Sequence, residues 1–148
     1  MTKQQKDNLA DYLQGLKMFQ PSSFPLGVII VKKDQDKKEV EKIIKQEALD
    51  MISAEQHTDE LIAQIAESIN NKRGLVIDIR EDHLDPKLYN QLNNLKEDLF
   101  YAKMAGAKDA VIINPVPKGG FLLLLIEQEK YRDITLGEAF TSYCNLAV

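Results

Sequence analysis

Four lysines, Lys32, Lys33, Lys37 and Lys38, gather behind the apolar run Leu26–Val31, interleaved with Asp34, Asp36 and Glu39. Cationic side chains at a strand-to-helix turn suit a phosphate or an acidic partner. A second cluster crowds the exit of the strand Leu75–Ile79: Asp78, Glu81, Asp82 and Asp85 offer hard oxygen ligands. Such ligands suit a divalent cation, Mg²⁺ first, with Asp78 and Asp82 as the metal candidates. His83 stands among them and has the chemistry of a general base oriented by Asp82 or Asp85. A third place is the loop from Asn114 to Gly120, where Gly119 and Gly120 permit close backbone approach to a ligand.

Each cluster also has a plainer explanation. Asp85 precedes Pro86, the signature of a capped helix start, which needs no metal. Glu81 and Asp82 then face water and only Asp78 points inward. No serine or cysteine is tied to His83 by spacing, and a solvent-facing loop histidine fits it as well. The acids interleaved with the lysines nearly cancel their charge, and no aromatic side chain lies among them for base stacking. The Asn114–Gly120 loop serves equally as the turn into the next strand. His57 precedes a helix start, and nothing brings the two histidines together at a metal. The single Cys144 forms no internal disulfide and no cysteine metal cluster. Its neighbours Phe140, Tyr143 and Leu146 suggest packing or contact with another subunit.

The elements that position these groups can be traced along the chain. Residues 3–19 form an amphipathic helix on Leu9, Tyr12, Leu13, Leu16 and Phe19, broken by Pro21 and Pro25. Leu26–Val31 is a strand without alternation, as expected of one buried on both faces of a parallel sheet. A helix from about Lys37 to Leu49 takes Asp36 as N-cap and Glu39 to close a capping box, with Val40, Ile43, Ile44 and Ala48 as its apolar stripe. Met51–Ser53 is a short strand. The helix 59–72, capped by Thr58, has Leu61, Ile62, Ile65 and Ile69 on its inner face. Leu75–Ile79 is the second clear strand. From Asp85-Pro86 a long helix carries Leu88, Leu92, Leu95, Leu99 and Phe100 to a left-handed cap at Gly106. Asp109–Ile113 is a third strand, Phe121–Ile126 a further one, and a short helix runs from Thr135 to about Tyr143.

Strands alternating with helices predict an α/β fold in three layers, α/β/α, with a mostly parallel central sheet of four or five strands. Ligands in such sheets bind at strand carboxyl ends. Lys32–Lys38, Asp78–Asp85 and Asn114–Gly120 are the places to look for chemistry. No repeat, low-complexity segment or linker divides the chain, so residues 1–148 read as one domain: an N-terminal helix and Pro-rich turn over 1–25 and a sheet-and-helix core over 26–148. A net charge of -4 lacks the basic footprint of a nucleic-acid binder. No apolar run approaches the roughly 18 residues of a membrane span, and no signal-peptide core follows the first residues, which predicts a cytoplasmic protein.

The order of elements resembles the core of a P-loop NTPase of the AAA+ or clamp-loader kind. Leu26–Val31 stands as the first strand, and Lys38 falls at the lysine of G-x-x-x-x-G-K-[ST] when that pattern is laid over the turn. Leu75–Asp78 is similar to the strand that ends in a metal-binding aspartate, and Val111–Asn114 to the strand that ends in a sensor asparagine. The likeness covers nearly the whole chain. Its phosphate loop is degenerate: Lys32 and Lys37 replace the glycines and Glu39 replaces the hydroxyl residue that holds Mg²⁺. Ile79 stands where active members place a glutamate that orients water.

The resemblance therefore implies a non-catalytic P-loop-like module for protein interaction or assembly. It would have no cofactor and would work with a protein partner or further copies of itself. Contact faces would be the N-terminal helix and the segment after Tyr131. The alternative is a nucleotide-binding or Mg-dependent phosphohydrolase-type enzyme, taking ATP or GTP with Mg²⁺ at Lys32, Lys38, Asp78 and Asn114. A third reading is a flavodoxin-like or anti-sigma-antagonist-like regulatory domain. Strand order separates them: a first strand between the third and fourth main strands favours the P-loop class.

Overall fold

Runs that stay apolar without alternating become the strands covered on both faces. In a computed structural model, the structure describes residues 1–18, 24–32, 37–53, 58–80, 86–97, 99–102, 111–131 and 146–148. In chain order the elements are α1 (Lys3–Met18), β1 (Leu26–Val31), α2 (Lys37–Gln46), β2 (Asp50–Ser53), α3 (Thr58–Asn70), β3 (Gly74–Asp78) and α4 (Pro86–Asn93). A 3₁₀ turn over Asn94–Glu97 follows, then β4 (Phe100–Ala102), β5 (Val111–Ile113), β6 (Phe121–Glu127), the single turn α5 (Gln128–Tyr131) and β7 (Leu146–Ala147).

The central sheet has five strands in the order β2-β3-β6-β1-β7, and every described pairing within it is parallel. The fold class is the α/β, three-layer arrangement that the alternation predicts. β6 is the spine: Leu122–Ile126 pair with Leu26–Ile30 on one side, and Phe121–Leu125 with Gly74–Asp78 on the other. Its residues from Phe121 to Ile126 are almost wholly withdrawn from water, which is why the sequence there tolerates no polar residue. Side chains alternate between two cores. Leu122, Leu124 and Ile126 join Ile62, Ile65, Ile69, Leu88 and Phe100 on the face of α3 and α4. Leu123 and Leu125 join Leu9, Leu13, Val40 and Ile44 on the face of α1 and α2.

Several expectations need correction. The long helix to Gly106 stops after Asn93, tightens into the 3₁₀ turn, and gives way to β4. Paired Asn93-Asn94 are weak helix formers, and Phe100 is held instead opposite Ile113, both facing the core. Val111–Ile113 is a strand, but it leaves the central sheet and pairs antiparallel with β4 in a ribbon of its own. Consequently β1 has β6 on one side and β7 on the other, and the strands of the central sheet, numbered in chain order within it, lie 2-3-4-1-5. This order differs from the flavodoxin-like 2-1-3-4-5 sequence, where the first strand lies between the second and third. Ala48 is not part of the α2 stripe: it is exposed, with φ of 57°, just past the helix end. β7 had no counterpart in the sequence reading. Phe19, Asp36, Asp85, Gly106, Asp109 and the helix expected over 135–143 lie outside the described residues.

Candidate functional site

The carboxyl end of the sheet is where β1, β3 and β6 finish side by side, with Val31 opposite Glu127 and Asp78 opposite Leu125. Asp78 ends β3 and Arg80 follows two residues later, on the same side of an extended chain. The two side chains close on each other. Arg80 Nε donates to Asp78 Oδ1 at 3.0 Å and Nη2 to Oδ2 at 2.8 Å, a two-pronged guanidinium–carboxylate pair. The backbone N–H of Arg80 adds a third bond to Oδ1 at 3.1 Å. Arg80 Nη2 also reaches Glu41 Oε1 of α2 at 3.5 Å, bridging the sheet to the helix above it. Side-chain exposure is 9% for Arg80, 12% for Asp78 and 28% for Glu41.

Burial by itself would push the Asp78 carboxyl up. The hydrogen bonds from Arg80, its charge and that of Lys37 outweigh burial and hold Asp78 below the usual carboxylate range. Asp78 is thus an ionised, satisfied group. Both of its oxygens already accept bonds from a cation supplied by the next turn of chain.

Glu39, in the first turn of α2, is engaged as well. Its Oε2 accepts from the Met1 ammonium at 3.0 Å, and its Oε1 lies 3.3 Å from Lys6 Nζ. The Met1 bond, then the Lys6 bond, hold the Glu39 carboxyl below its ordinary value. Glu39 also places negative charge at a helix N-terminus, where it is favoured.

The four candidate ligand residues do not form one group. Lys32 and Lys38 are exposed near the carboxyl end of β1, and the Lys32 backbone N–H donates to the Val148 carbonyl at 3.3 Å. Asp78 is at the same end of the sheet, one strand away across β6. Asn114 is elsewhere. It follows β5, outside the central sheet, and the strand beside β1 ends in Glu127 instead. The loop it opens runs to the amino end of the sheet, where Gly119 and Gly120 lie against Lys72 and Arg73. A Cβ on Gly120 would come within 2.9 Å of the Arg73 carbonyl. The close approach that these glycines permit is therefore to the protein's own backbone. Lys33, Asp34, His57, Glu81, Asp82, His83 and Cys144 fall outside the described residues. Among the described residues, no group of three or more His, Cys, Asp or Glu is placed to hold a metal. No described helix is long and apolar enough to cross a membrane.

Sequence reasoning missed Arg80 and Glu41. The signal for Arg80 was present: Asp-Ile-Arg at a strand end places acid and base on one side, two residues apart. Glu41 carried no such signal, since its role depends on how α2 lies across the sheet. Comparison of the chain with known protein families and with curated proteins finds no match.

Proposed function

We propose that the chain is a non-catalytic, P-loop-like module for protein interaction or assembly, working in the cytoplasm without a nucleotide. The observation that carries this reading is the Asp78–Arg80 pair. A carboxylate at the end of a buried strand recruits a metal when its oxygens face an open, hydrated site. Here both oxygens are satisfied by a guanidinium that is itself 9% exposed, and the local charge is already balanced. Glu39 supports the same conclusion, because it puts a carboxylate in the first turn of α2, at the helix end where a phosphate loop would collect its anion. What remains is a rigid parallel sheet with helices outside it, a scaffold suited to presenting surfaces.

The deciding experiment is calorimetric titration with ATP and GTP, each with and without Mg²⁺. No saturable heat is expected. Micromolar binding that disappears in Lys38→Ala would overturn the reading in favour of a nucleotide-binding enzyme at the strand ends. A search for partners would then start from α1 and the segment after Tyr131, with another copy of the chain among the candidates.

A further inference from the structure

The outer face of α2 carries one kind of charge. Lys38, Lys42 and Lys45 stand at positions i, i+4 and i+7, and all three are exposed. That spacing makes them a single stripe along the helix, about 10 Å long at the usual rise. Val40, Ile43 and Ile44 are buried on the opposite side, in the core.

The neighbouring glutamates do not share this face. Glu39 lies on one flank, where it takes the Met1 ammonium and Lys6. Glu41 lies on the other and meets Arg80. Glu47, just past the helix, accepts from Gln14 and pairs with Lys17 of α1. These three acids are engaged by cations from other elements, and no described ion pair reaches Lys42 or Lys45. The stripe is thus locally cationic on a chain of net charge -4. A complementary partner is acidic where it meets α2.

Two other polyanions fit less well. A helix that lies on a membrane needs an apolar face for the acyl boundary, and the apolar face of α2 is already in the core. A nucleic-acid duplex presents phosphates over a wide surface and is held by many cations, whereas this chain is acidic overall. Lysine ammoniums are compact point charges that can each take a separate carboxylate.

We propose that the outer face of α2 docks an acidic segment of a partner protein, whose carboxylates meet Lys38, Lys42 and Lys45. The proposal rests on the protein-interaction reading and names a surface for it. The test titrates ¹⁵N-labelled protein with a hexaglutamate peptide and, separately, with a hexalysine peptide, phosphatidylserine vesicles and a short DNA duplex. Hexaglutamate is expected to give saturable shifts centred on the backbone of 37–46, with a Kd on the order of 0.1–1 mM. That binding should weaken several-fold between about 0.01 and about 0.15 M salt. Lys42→Glu with Lys45→Glu, and the milder Lys42→Gln with Lys45→Gln, are each expected to lose most of it. Both positions are exposed, and an unchanged spectrum outside α2 checks that the fold is kept. Lys118→Glu, exposed in the loop at the other end of the sheet, is expected to leave binding intact. No saturable shift, shifts spread over the exposed lysines generally, an equal response to hexalysine, or binding that both double variants retain would overturn the proposal. Tighter binding of the vesicles or the duplex than of hexaglutamate would overturn it too. Failure here with a flat nucleotide titration removes only this surface. ATP binding that vanishes in Lys38→Ala but survives the Lys42 and Lys45 changes removes the broader reading instead.

Discussion

Replacing Arg80 with alanine isolates the contact on which the functional reading depends. The substitution removes two short charge-assisted bonds, 3.0 and 2.8 Å, from a carboxylate that is 12% exposed, and leaves only the backbone N–H at 3.1 Å. Breaking a fully buried ion pair costs about 3–5 kcal/mol, because the remaining charge is stranded. The slight exposure of both groups reduces that figure, and the longer contact to the more exposed Glu41 adds less than about 1 kcal/mol. A loss of about 2–4 kcal/mol at pH 7 follows. The pH dependence is more diagnostic than the magnitude. Asp78 in the intact protein is held below its ordinary pKa. Its contribution is therefore complete above the unfolded-state value of about 3.9 and is lost as pH falls through the lower folded value. In the variant burial acts with little opposition, the carboxyl rises, and protonation relieves the stranded charge. The gap between the two proteins should thus be widest at neutral pH and shrink as pH falls from about 5 towards 3. Urea denaturation at several pH values measures it. A gap that is the same at pH 7 and pH 3.5, or one below about 0.5 kcal/mol at pH 7, would refute the assignment of Arg80 as the internal counter-ion.

Other expectations concern the scaffold and the absent chemistry. Asp78→Asn combined with Arg80→Ala should show a coupling of about 1–3 kcal/mol in a double-mutant cycle, read by the same denaturation curves. Leu124→Ala, in the centre of β6 and fully buried, should cost about 2–5 kcal/mol with the denaturant slope unchanged. Gly74→Ala should cost about 1–3 kcal/mol, because a Cβ there would drive into the Phe121 ring and the Leu49 side chain; thermal unfolding reads it. Lys38→Ala should leave the flat ATP titration unchanged, because on this reading the lysine holds no phosphate.

The strands legible in the sequence were those buried on both faces. Leu26–Val31 and Phe121–Glu127 announce themselves because a strand with no solvent side has no polar position. Helices α1, α2 and α3 were legible through their stripes, with Leu9, Leu13, Val40, Ile44, Ile65 and Ile69 all buried. The region after Asn93 was not. Leu95, Leu99 and Phe100 continue a helical spacing, yet the partner that claims Phe100 is Ile113, a distant residue that no local pattern reveals. β7 escaped for a related reason: two residues bound to Ile29 and Ile30 are too few to show any period. At the site, Asp78 was recognisable from its place at a strand end. Its partner was not, because Glu81, Asp82 and Asp85 directly after it form the more conspicuous charge pattern, in which a single arginine two residues away is easily read as a surface charge. Asn114 was grouped with Lys38 through the resemblance of Val111–Asn114 to a strand of the P-loop core, and β5 lies outside the central sheet.

The pairing of β1 with β6 also governs how quickly the protein can acquire its shape. Leu26 meets Leu122 only after roughly a hundred residues of chain lie between them, and such distant contacts form late. At a synthesis rate of about 5–20 residues per second, Leu-Gly-Val-Ile-Ile-Val emerges and waits on the order of ten seconds for its neighbour. During that interval it is a short, uncharged, β-prone segment with neither edge covered by β6, the kind that adheres to other chains. The polar Lys32–Glu39 stretch that follows it directly is the nearest charge to it in sequence, and flanking charge of that sort keeps a nascent strand dispersed until the spine arrives.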